Sequence, residues 1–238
     1  MRIATTHFKT MQAALKELEP IAKNPARLAS GRPWRRLEQR PRETLGNWLL
    51  CAVANFERGR EEVIFGDEKG GGDGVVFDGK GWGLFAEHVF VPRRMDGDEA
   101  SLESLILKAV EHKAAKGAPY AKGKTLIVLS DATGRWFPNP ATRRIARKHH
   151  FDAVWVMHLE KRTGAGRYQY VVVKLDLSKG DAPVWTVDIA ADFKSWIVRR
   201  NRGGLVIPPL PGQGLVKAVR PGRSGMLLVP RGPRLWLP

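Results

Sequence analysis

The chain contains one cysteine, Cys51, which excludes an intramolecular disulfide framework and a cysteine-rich zinc site. Cys51 lies in the apolar stretch "NWLLCAVANF", where a buried structural thiol is expected. No apolar run reaches the roughly 18 residues that a membrane-spanning helix requires. The opening "MRIATTHFKTMQAALKELEP" lacks the uninterrupted apolar core of a secretory signal. A cytoplasmic location with no membrane contact is therefore the expectation. Also missing are the GxSxG, HExxH, paired CxxC and Rossmann glycine patterns, so nothing points to a triad hydrolase, a zinc protease or a dinucleotide enzyme.

Acids are scarce as well: 24 Asp and Glu stand against 40 Lys and Arg, a formal net charge of +16 over 238 residues. Such an excess points to a polyanionic partner, above all nucleic acid. The acids that exist are not spread evenly. Residues 61–100 carry ten acidic and four basic side chains, whereas residues 1–60, 101–176 and 177–238 are each strongly basic. The reversed segment contains "GDEKGGGDGVVFDGKGWGLFAEHVFVPRR".

Periodicity gives the order of elements. Residues 5–22 place Phe8, Met11, Ala14, Leu15 and Leu18 on one helical face, with Pro20 near the exit. A basic, proline-rich connector follows, with room for a short helix. A longer helix is expected from Glu43 to Glu57, stopped by Gly59. "EEVIFG", "DGVVFDG" and "WGLFAEHVFVP" read as three strands, the last two joined by the hairpin signal "DGKG". Then come an amphipathic helix in "DEASLESLILKAVEHKAAKG", a buried strand "KTLIVLSD" and a basic helix "NPATRRIARKHH". Two strands, "FDAVWVMHLE" and "YQYVVVKLDL", and a closing helix over "TVDIAADFKSWIVRRN" complete the order. It implies an α/β fold with a mixed β-sheet flanked by helices. Three segments are expected: an N-terminal helical part (1–42), an α/β domain (43–202) and a Pro/Gly/Arg-rich arm (203–238).

Strand alternation sets Phe85, Glu87, Val89 and Val91 on one face and Ala86, His88 and Phe90 on the other. A glutamate among apolar strand residues is costly unless something binds it. Asp73 opens the paired strand, so the two carboxylates can converge. Two such acids suit a divalent cation, Mg²⁺ or Mn²⁺, that completes its shell with water and phosphate oxygens. Asp78 is expected to serve the turn, Gly70–Gly72 a loop, and Asp67 and Glu68 to be solvated. His149 and His150, adjacent at a helix end, do not converge on a metal.

An αβββαβ order with Asp73 opening the second strand and Glu87 in the third resembles the PD-(D/E)xK nuclease superfamily, the restriction-endonuclease-like fold, over roughly residues 43–160. The resemblance implies Mg²⁺-dependent phosphodiester hydrolysis, with Asp73 as first metal ligand and Glu87 as the acid of the (D/E)xK. It further implies an acid on the first core helix, Glu43 or Glu57, Glu43 suiting the early-helix place better. The tripeptide here is "EHV", so Val89 stands at the lysine position, and Lys108 or Lys113 on the following helix, or Lys80 in the hairpin turn, is the candidate replacement. Arg143, Arg144, Arg147 and Lys148 on the basic helix are candidates for phosphate contacts.

Three functional readings follow. One is a metal-dependent endonuclease acting on DNA, for which a homodimer suits cleavage of both strands. Another is a non-catalytic nucleic-acid-binding protein that keeps the nuclease-like fold. The third is an RNA-binding protein using Trp34, Trp136 and Trp196 beside arginines.

Overall fold

The computed structural model describes residues 10–30, 32, 39–66, 73–80, 83–92, 101–132, 136–145 and 149–201. They all fall within one compact unit. Arg147, Lys148, Trp34, the Gly70–Gly72 loop, Asp67, Glu68 and the arm from residue 203 lie outside the described residues.

Helices α1 (Met11–Ala22) and α2 (Pro25–Ala29) lead into the long helix α3 (Pro41–Arg58), which Gly59 ends in a left-handed conformation. Pro20 does not terminate α1, which runs on to Ala22. Strands β1 (Val63–Gly66), β2 (Val75–Asp78) and β3 (Gly83–Val91) form an antiparallel meander. Helix α4 (Leu102–Ala114), capped by the Ser101 side chain, and the short α5 (Ala118–Ala121) cross to β4 (Lys124–Ser130), which pairs parallel to β3. Helix α6 (Pro138–Ile145) connects to β5 (Ala153–Arg162), parallel to β4. Strands β6 (Tyr168–Leu175), β7 (Val184–Ile189) and β8 (Trp196–Asn201) complete the sheet as antiparallel neighbours.

All eight strands lie in one mixed sheet in chain order. It curls, for α3 touches β1 at one edge and β7 and β8 at the other. Trp48 of α3 meets Trp196 of β8 edge-on at 5.3 Å, and its indole N–H donates to the Met11 carbonyl of α1. The inner face, with α1 to α3 packed on it, buries Leu15, Leu45, Trp48, Phe65, Ala86, Ile127 and Met157. The outer face buries Ile106, Val110, Leu126, Val128, Trp136 and Val154 beneath α4 to α6.

The expected α/β class with a mixed sheet is observed, and α3–β1–β2–β3–α4–β4 follow in αβββαβ order with α5 interposed. The closing helix is not: residues 184–201 form the β7–β8 hairpin instead. Trp185, Val187 and Ile189 alternate as a strand requires and are buried against the inner core. The turn rests on Phe193, a non-glycine at φ 55°, and on the Asp192 side chain accepting from the Lys194 amide, so it carries no glycine signal in the sequence. The N-terminal segment packs on α3 within the same core as the α/β elements.

Candidate active site

The β2–β3 register pairs Val75 with Phe85 and Val76 with Leu84, which aligns Asp73, two residues before Val75, with Glu87. The pairing is carried beyond the strand end by the Ala86 amide, which donates to the Gly74 carbonyl at 2.9 Å. Gly74 sits at φ 145°, and a Cβ there would come within 2.4 Å of Asn47 Nδ2 on α3. Only glycine lets the chain pass this close to the helix. The bend turns Asp73 so that its Oδ2 accepts the His88 amide at 2.7 Å, in the gap where β2 stops and β3 continues.

Glu87 is buried on the outer face, 6% exposed, yet it is held charged. Its Oε2 accepts from Lys113 Nζ of α4 at 2.8 Å and from the Tyr120 hydroxyl of α5, while Lys124 Nζ of β4 lies 3.6 Å from Oε1. Burial alone would raise this carboxyl, but the bonds from Lys113 and Tyr120 and the two ammonium charges outweigh it and hold it below the ordinary range. Lys113 is thus the one of the three candidate lysines that the fold delivers to Glu87. Lys108, a turn earlier, is exposed and lines a groove of about 420 Å³ with Ser101, Ser104, Glu111 and Arg144. Lys80 stands in the turn at the opposite end of β2 from Asp73, where Asp78 accepts its amide and pairs with Arg58.

Across the sheet, on the inner face, His88 is equally buried but neutral. Neither ring nitrogen makes a hydrogen bond within the protein, and burial pushes the imidazole down to about 3, although Asp73 Oδ2 lies 3.9 Å from Nδ1. Its ring packs on Gly46 of α3, where a Cβ would come within 3.3 Å. The next residue, Asn47, donates to Gln39 and to the Asp73 carbonyl, tying α3 to the start of β2. Glu43, in the first turn of α3 and 4% exposed, accepts the Arg40 amide at 2.8 Å as a capping residue. Burial raises its pKa, and the charge of Asp73 adds to the effect. Glu57, the other helix acid, faces the far end of α3, where it accepts the Trp185 indole N–H and meets Arg200.

Among the described residues, no group of three His, Cys, Asp or Glu side chains is arranged to hold a metal ion. Asp73 lies near enough to Glu43 to help raise its pKa, whereas the groups acting on Glu87 are Lys113, Tyr120 and Lys124. Arg143 and Arg144 are exposed on α6, and Arg144 pairs with Glu103 at 2.9 Å. Trp136 is 2% exposed in the outer core and so closed to base stacking; Trp196 packs on Trp48. His149 stacks on Phe151 and accepts its amide, away from any carboxylate named above. The sequence reading overlooked Tyr120, Lys116 and Lys124. Their signal is a stretch from His112 to Ser130 that holds four lysines and one tyrosine and no acid.

No model of a known protein family matches the chain, and no curated protein matches it.

Proposed function

We propose that the protein is a metal-dependent nuclease that hydrolyses phosphodiester bonds, with DNA as its substrate. The observation that carries this reading is the alignment of Asp73 with Glu87 across β2 and β3, with the Lys113 ammonium 2.8 Å from Glu87. The αβββαβ order of the surrounding elements supports a restriction-endonuclease-like core. The donor set fits Mg²⁺ or Mn²⁺, since Asp73 and Glu87 offer hard carboxylate oxygens. Such an ion, when bound, polarises a phosphodiester and lowers the pKa of a coordinated water.

The chain's own residues have distinct tasks. Asp73, fixed by the His88 amide, and Glu87 would hold the cation. Oε2 of Glu87 accepts from both Lys113 and Tyr120, so Oε1, which only Lys124 approaches at 3.6 Å, is the oxygen a cation would take. Lys113 is then placed to offset charge developing on the phosphoryl oxygens, the part that a lysine at Val89 would otherwise play. Asn47 holds the start of β2 against α3 through the Asp73 carbonyl. The basic surroundings supply phosphate contacts.

Divalent-dependent cleavage of supercoiled plasmid tests the proposal. Wild type is expected to nick or linearise DNA with Mg²⁺ or Mn²⁺, and Glu87→Gln to bind it without cutting. Absence of cleavage with every divalent ion tried overturns the enzyme. A second reading, a nucleic-acid-binding protein without catalysis, is favoured by one feature: the Glu87 charge is already offset by Lys113 and Lys124, with Tyr120 donating to it. It predicts salt-sensitive retention of DNA and no cleavage.

A further inference from the structure

Around Tyr120 the fold gathers more positive charge than it neutralises. Lys113 and Lys116 each place Nζ 3.3 Å from the phenol oxygen. Lys116 and Lys124 also sit against the ring, 4.4 and 4.5 Å from its centroid. Three ammoniums thus converge on one side chain, and among the described residues the carboxylate paired with them is Glu87, shared by Lys113 and Lys124. No carboxylate among the described residues forms an ion pair with Lys116. The arrangement is built by three consecutive elements: the end of α4, the turn at Gly117 (φ 86°) with α5, and the first residue of β4. Like charges held this closely repel one another unless an anion joins them, and the face they share is partly exposed. Lys124 keeps 30% of its side chain accessible, against 14% for Lys113.

We propose that Lys116, Lys124 and the Tyr120 ring between them clamp a backbone phosphate of the nucleic acid beside the Asp73–Glu87 site. The identity of the anion rests on the nuclease reading; the clamp itself is a binding site and needs no catalysis. A polynucleotide fits because exposed basic side chains continue from the cluster at Lys122, beside which the exposed Asp152 accepts the Gly123 amide. The aromatic ring keeps the two ammoniums apart by cation–π contact while the phosphate bridges them.

The test is the salt dependence of binding to a fluorescein-labelled DNA duplex in EDTA, where cleavage cannot intervene. Replacing both lysines (Lys116→Gln with Lys124→Gln) is expected to weaken binding and make the slope of log Kd against log salt shallower by about 2, near 0.9 per ammonium. Each single variant is expected to give about half that change, which keeps the test open if the double variant folds poorly. Tyr120→Phe keeps the ring but removes the hydroxyl, so affinity falls while the slope holds. A charge-matched control, Lys161→Gln with Lys179→Gln, is expected to leave the slope at the wild-type value. An unchanged slope in the lysine variants, or an equal change in the control, overturns the clamp. So does displacement of the duplex by a mononucleotide at equal phosphate concentration, or lysine-dependent binding of anionic lipid vesicles without binding of the duplex. Failure of cleavage in the plasmid assay leaves these binding outcomes standing, so the two proposals fail separately.

Discussion

Glu87 and His88 are consecutive on β3, equally buried, and treated in opposite ways by the two faces of the sheet. On the outer face, two lysines and a tyrosine keep Glu87 ionised. On the inner face, α3 seals His88 with no hydrogen-bond partner within the protein and keeps it neutral. The difference is one of neighbours rather than depth. α4, α5 and β4 bring long cationic side chains that reach the strand, whereas α3 approaches through Gly46 and leaves room only for the ring. The outer side of β3 therefore carries an ion-paired carboxylate and the inner side a neutral, packed ring, with Asp73 hydrogen-bonded to the strand between them.

The largest break in this comparison is expected at the junction. Gly74→Ala forces a Cβ onto the Asn47 amide at a backbone conformation that L residues avoid, and should cost about 3 kcal/mol in denaturant unfolding. Because Gly74 follows Asp73 directly, divalent-ion binding should weaken with it. Next is acid. His88 has a folded-state pKa depressed to about 3 against 6.5, so the unfolded chain binds the proton first. Stability from this group is complete above pH 6.5 and declines as pH falls towards the folded value, by about 2 kcal/mol between pH 6.5 and 5. Glu87, whose pKa is also depressed, acts with the same sign, but only as pH falls below its ordinary value of 4.5. Chemical denaturation across pH separates the two windows, and His88→Gln should make the upper one shallower, leaving the share that burial of His158 and His149 contributes with the same sign, and leave the lower unchanged.

On the outer face, Lys113→Met removes the strongest partner of a buried carboxylate while Tyr120 and Lys124 remain. A loss of about 1–2 kcal/mol is expected, with a rise in the Glu87 pKa that carboxylate NMR can follow. Gly46→Ala on the inner face should cost about 1 kcal/mol, since the added methyl meets Ile127 and the His88 ring at 3.1 to 3.3 Å. Its pH profile should match wild type, which would mark the inner face as packing alone.

Much of this layout was readable from the residues. Alternation in "WGLFAEHVFVP" placed Glu87 and His88 on opposite faces, and "DGKG" fixed the hairpin that aligns Asp73 with Glu87. Periodicity located α3 and α4. What it could not give was how far side chains travel between elements. Lys108 and Lys113 are both on α4, but only Lys113, near the helix end, meets β3, while Lys108 faces the groove beside Arg144. Tyr120 and Lys124 reach the site through a four-residue helix and a glycine turn whose path follows from the parallel β3–β4 crossover. The β7–β8 hairpin was read as a helix because Ile189, Phe193 and Trp196 also fit a helical spacing, and the turn at Phe193 uses no glycine.

The most direct measurement is Mn²⁺ binding followed by electron paramagnetic resonance, in wild type, Asp73→Asn and Glu87→Gln. Joint ligation predicts an ion bound by wild type and lost in both variants while the fold, read by circular dichroism, is unchanged. Binding that survives either substitution, or none in wild type, contradicts a cation shared by Asp73 and Glu87.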